Sequence, residues 1–98
     1  MKLYNEVMVC YDIEDNKIRT RLFGRLKDLG LRPIQKSVFW GHLNAAEERA
    51  VLRCFRDELD KATDRAFLVR APLAEAAERN SFGYELVGTF TLSSHETL

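Results

Sequence analysis

The chain has 98 residues, 46% of them hydrophobic and 31% charged, with a formal net charge of zero. That length suits one domain, residues 1–98, with an adequate but thin core, so burial of further apolar area in a homodimer is expected. No apolar stretch approaches the ~20 residues of a membrane span, and the N-terminus lacks the apolar segment of a signal peptide, so a cytoplasmic protein is expected.

Residues 3–13 read as the first strand. It is nearly continuous in apolar residues from Val7 and therefore expected to be central. Asp12 stands at its end. A charge there costs several kcal/mol unless the strand end is open, or the charge is paired or bound to metal. Glu14, Asp15 and Asn16 form a polar turn, and Asp15 and Asn16 are better placed than Asp12 to cap a helix. Ile18, Leu22, Leu26 and Leu29 then recur at helical spacing, with Phe23 widening the stripe. Gly30 marks the stop, so the first helix is predicted over residues 17–29.

A second strand is predicted over residues 32–43, with Pro33 at its start and apolar groups on both faces. Asn44 with Glu47 resembles a capping box. It opens a second helix over residues 45–62, with Val51, Cys54, Phe55 and Leu59 inward. Residues 65–71 read as a third strand and residues 72–80 as a short helix. Residues 84–87 and 89–92 read as strand material split by Gly88, followed by a polar tail at 93–98. The order is read as β-α-β-β-α-β, an α+β fold of the ferredoxin-like type with an extra C-terminal strand.

The neutral total hides an uneven distribution. Residues 16–36 carry Lys17, Arg19, Arg21, Arg25, Lys27, Arg32 and Lys36 against Asp28, whereas the rest of the chain is net acidic. Local potential, rather than net charge, steers a polyanion. Arg19 is expected nearer the strand tips and Arg21 nearer solvent. Arg32 and Lys36 are expected to return beside the first strand. Asp12 next to these cations suits a metal ion held against a phosphodiester. Magnesium tolerates one or two protein carboxylates, and a twofold dimer bringing two Asp12 side chains together would supply both.

Gln35 and Ser37, polar residues in a strand, need internal partners or a ligand. Phe39 and Trp40 suit stacking on bases, although core or dimer packing is the preferred reading. Cys10 and Cys54 lack metal-ligand spacing and read as buried thiols. His42 and His95 show no metal-site spacing, and Ser37 has no evident base partner. Gly24, Gly30 and Gly41 do not form a phosphate loop.

Tyr11, Asp12 and Ile13, followed by Arg19 and Arg21, then Gly30, Leu31 and Arg32, then Gln35, Lys36, Ser37, Val38 and Phe39, resemble the CRISPR-associated protein 2 family. The resemblance spans residues 7–73, and Trp40 stands where many members carry an acidic residue. It implies a homodimer in which Asp12 of each subunit lies near the twofold axis and shares a divalent metal, Mg2+ or Mn2+. In members with nuclease activity that aspartate is the catalytic ligand. Tyr11, Arg19, Arg21, Arg32, Ser37 and Phe39 match positions that support activity or shape the site. The resemblance further implies DNA or RNA binding, partnership with the CRISPR-associated integrase, and addition of the C-terminal strand to the partner's sheet. Two roles are expected from it: a metal-dependent endonuclease in spacer acquisition, or a non-catalytic adaptor bridging the integrase along protospacer DNA; a third reading, a toxin-like messenger-RNA endoribonuclease on a related fold, keeps Asp12 but needs no integrase.

Overall fold

Alternation along the first strand decides the architecture. In β1, Asn5–Asp12, the side chains of Val7, Val9 and Tyr11 are buried on one face, while Met8 and Cys10 lie half-buried on the other. Both faces need cover, which places β1 inside the sheet. The computed structural model describes residues 3–84. Within it, β1 is followed by α1 (Asn16–Asp28), β2 (Arg32–Gln35), β3 (Val38–Leu43), α2 (Ala45–Glu58), β4 (Arg65–Arg70) and α3 (Leu73–Asn80). The sheet order is β2-β3-β1-β4, and every pairing is antiparallel. This is the ferredoxin-like split arrangement.

Helix α1 starts where Asp15 accepts hydrogen bonds from the Lys17 and Ile18 amides at 2.8 and 3.0 Å. It stops in a Schellman turn: Gly30, at φ 90, donates to the Lys27 carbonyl, and Leu31 donates to that of Leu26. Leu26 and Leu31 are both buried there. Asn44 and Glu47 close their capping box at 2.8 and 2.9 Å. The core lies between α1, α2 and one sheet face, with Leu22, Leu26 and Val51 packed on Val7, Val9, Phe39 and Leu43.

Helix α3 covers part of the opposite face. The Ala74 amide donates to Glu6 Oε2 at 2.7 Å, and the same oxygen accepts the Trp40 indole N–H at 2.8 Å. Trp40 is thereby sealed at 1% exposure outside the main core.

Three expectations are corrected. The predicted strand over residues 32–43 is two strands joined by a turn at Lys36 and Ser37, with Ser37 at φ 64. The hairpin supplies the adjacent strands of the split motif. It also makes β3, not β2, the neighbour of β1, so Arg32 lies two strands away, opposite Trp40. Helix α2 ends at Glu58 rather than near residue 62 because the following loop is tied by carboxylates. Asp64 accepts from the Asp60 amide at 2.9 Å, and Asp60 Oδ1 from that of Ala62 at 2.8 Å. Cys10 and Cys54 are half-buried free thiols rather than buried ones. Of the final strands only Tyr84 is among the described residues; residues 85–98 lie outside them. No helix among the described residues is long and apolar enough to cross a membrane.

Candidate functional site

The end of β1 sends two consecutive side chains to opposite faces of the sheet. Asp12 goes to the face not covered by α1 and α2, is exposed, and is in register with Arg65 of β4. Cys10, Phe67 and Val69 share that face, and Phe67 is 50% exposed. Because Asp15 caps α1, Asp12 is not committed to the helix. Among the described residues, no three His, Cys, Asp or Glu side chains converge as a metal site. The donor chemistry of Asp12 suits a hard divalent ion, which takes carboxylate oxygens.

Tyr11 goes to the helix face. Its ring stacks on Phe39 at 6.2 Å between centroids, and its amide donates to the Ser37 carbonyl at 3.1 Å. Burial pushes the Tyr11 hydroxyl above its ordinary value, with the Arg19 charge pulling the other way. The hydroxyl therefore stays protonated near neutrality. Arg19 is held at the same end, donating to the Ile13 carbonyl at 2.7 Å and to Asn16 Oδ1 at 2.6 Å. Tyr11, Arg19, Phe23, Gln35, Lys36 and Ser37 line a cleft of about 480 Å³ between α1 and the hairpin.

The other predicted residues have different places. Arg21 pairs with Glu58 of α2 at 3.3 Å, alongside Arg25 at 2.8 Å, on the helical layer. Arg32 is half-buried on the edge strand, and Lys36 is exposed in the turn rather than beside β1. Phe39 is fully buried and supports the cleft from beneath, since Phe23 meets it edge-on at 5.1 Å. Trp40 is buried as well, so neither aromatic is open to a base. Gln35 donates to the Tyr84 hydroxyl at 2.6 Å.

Sequence reasoning missed two contributors. Phe23 was counted as part of the apolar stripe, yet it is 38% exposed at the cleft. Asp64, only 7% exposed, accepts from the Glu14 amide at 3.0 Å and so pins the turn after β1 to the start of β4. Its signal was a carboxylate four residues after Asp60, at the entrance to a strand.

Known proteins are similar to this chain in sequence and in fold. The family model for CRISPR associated protein Cas2 matches residues 5–79. A CRISPR-associated endoribonuclease Cas2 of Francisella tularensis subsp. novicida is 42% identical over 85 residues, 87% of each chain. Another, from Korarchaeum cryptofilum, is 38% identical over 60 residues, covering 61% of this chain and 64% of the relative. Among solved structures, the hypothetical protein TT1823 from Thermus thermophilus superposes with a TM-score of 0.63 at 29% identity, over 69% of this chain and 82% of that one. Streptococcus pyogenes Cas2 gives 0.60 at 22% identity, over 80% and 99%, a likeness of fold.

Proposed function

The chain belongs to the CRISPR associated protein Cas2 family, and from that premise we propose that it is a homodimeric, nucleic-acid-binding subunit of CRISPR spacer acquisition with Mg2+-dependent endonuclease activity at paired Asp12 side chains. The observation that carries this reading is the exposed Asp12 carboxylate at the end of β1, free of capping duty and on the sheet face that also exposes Phe67 and Val69. Two copies meeting on this face about a twofold axis bury those side chains and bring like carboxylates together. Asp12 would hold a divalent ion, Mg2+ or Mn2+, which would supply Lewis-acid chemistry at the scissile phosphate.

The protein's own groups bind and orient. Arg19, locked by Ile13 and Asn16, and Lys36 in the turn present cations to the backbone on the cleft side of the strand tip. Tyr11 donates a hydrogen bond there. Arg21 is engaged with Glu58 and acts chiefly in holding α1 to α2. The names of the relatives favour RNA as the strand that is cut. A second reading, an adaptor that holds DNA for the integrase without cutting, is favoured by the lack of any cluster of three metal-ligating side chains among the described residues.

One set of measurements tests both. Purified wild type should cleave labelled single-stranded RNA in Mg2+ and stop when the metal is chelated. Asp12→Ala should lose at least ~100-fold of that activity, a range consistent with removal of a metal ligand's charge stabilisation, while still dimerising and capturing the integrase. Full cleavage by a folded Asp12→Ala protein removes the catalytic reading. Loss of integrase capture by wild type removes the spacer-acquisition reading.

A further inference from the structure

The cleft on the helix side of the strand tip is not the Asp12 site. Consecutive residues of β1 alternate in direction, so Tyr11 enters the cleft while Asp12 faces the other side of the sheet. At about 480 Å³ the cleft falls within the ordinary range for small-molecule sites. Its composition is specific. Phe23 presents an aromatic ring that is 38% exposed, and the buried Phe39 holds that ring edge-on at 5.1 Å and 72°. Arg19 is anchored at the rim by hydrogen bonds of 2.7 and 2.6 Å, and Lys36 stands in the turn across from it. Lys27 lies outside the cleft lining, with its Nζ over the Phe23 ring 5.7 Å from the centroid, a cation–π contact. A fixed aromatic surface between cations is the chemistry that holds an unstacked nucleobase and its flanking phosphates.

Given the proposed binding of nucleic acid, on which this step rests, we infer that the cleft takes one unstacked base of a single strand, with Phe23 as stacking surface and Arg19 and Lys36 on the adjoining phosphates. A base in a duplex is already stacked and cannot enter without being extruded. The cleft therefore favours single strands, whereas exposed cations elsewhere on the 16–36 segment serve any backbone.

The test uses the full chain with the metal chelated, so that cleavage plays no part. Fluorescence anisotropy follows a short fluorescein-labelled oligoadenylate RNA, alone or annealed to its complement. Phe23→Ala should weaken single-strand binding about tenfold, as expected for loss of one stacked base, with duplex binding unchanged. Phe23→Trp should restore or exceed wild-type affinity. Phe23→Leu, which keeps apolar packing on Phe39 but offers no ring, should behave like the alanine variant while its thermal unfolding stays near wild type. Equal loss on both probes, no loss on the single strand, or full affinity in Phe23→Leu overturns the assignment and leaves the proposed function standing. Failure of the wild type to bind either probe overturns both.

Discussion

Two acids stand at the paired ends of β1 and β4, and their surroundings give them opposite tasks. Asp12 is exposed and offers its oxygens outward. Asp64 is nearly buried and spends its oxygens on the chain itself. Hydrogen bonds from the Asp60 and Glu14 amides hold the Asp64 carboxyl below its ordinary value of 3.8, against the opposing effect of burial. The folded protein therefore binds this proton less readily than the unfolded chain. The stability it contributes is complete above the ordinary value and is lost as pH falls through the lower, folded one. Asp64→Asn should lower the urea midpoint at neutral pH, and the gap to wild type should narrow below about pH 4. A gap that stays constant on acidification would mean that the ionised carboxylate is not what the loop uses.

At the scale of elements, the hairpin is the part that sequence patterning concealed. Residues on both sides of Ser37 are strand formers, and Lys36 and Ser37 lack the Gly or Asn that usually marks a two-residue turn. Ser37 adopts φ 64 nonetheless, because its carbonyl accepts the Tyr11 amide across the sheet. A contact from a distant strand thus fixes a conformation that costs on the order of 1 kcal/mol locally. The opposite holds for the helices, whose caps at Asp15, Gly30 and Asn44 are local and were legible. Packing of α1's exit onto β3 gives a further outcome. A Cβ at Gly41 would meet Leu31 Cδ2 at 2.7 Å and Leu31 Cα at 3.2 Å. The Schellman turn holds Leu31 in place, so Gly41→Ala should cost about 1–3 kcal/mol as overpacking, read from chemical denaturation. A neutral Gly41→Ala would show that the turn yields.

For the whole molecule, the sheet has one face closed by α1 and α2 and another that α3 covers only in part among the described residues. On that second face Trp40 is sealed by Glu6 and α3, while Phe67 and Val69, on the same face as Asp12, remain 50% and 37% exposed. A chain of 98 residues has little core to spare, and a large aromatic standing open on the same face as the proposed catalytic acid fits a subunit contact. Phe67→Glu should convert the proposed dimer to a monomer in sedimentation and abolish the proposed metal-dependent cleavage, with circular dichroism retained. A Phe67→Glu protein that stays dimeric would place the subunit contact elsewhere.

Sequence alone determined the helices, their caps, the central position of β1 and the presence of an uncommitted carboxylate at its end. Each of these depends on neighbours a few residues away, or on an apolar run that must be covered on both sides. The tertiary structure decided what the cations do. Arg19 and Arg21 are two residues apart on one helix, yet Arg19 anchors at the strand tip and Arg21 pairs with Glu58 on α2. Arg32 belongs to an edge strand because the hairpin interposes β3. It also decided that Phe39 and Trp40 are interior and Phe23 is the aromatic at the cleft. Spacing along a chain shows which side chains share a face, but the partner on that face comes from remote segments, and the fold alone brings those together.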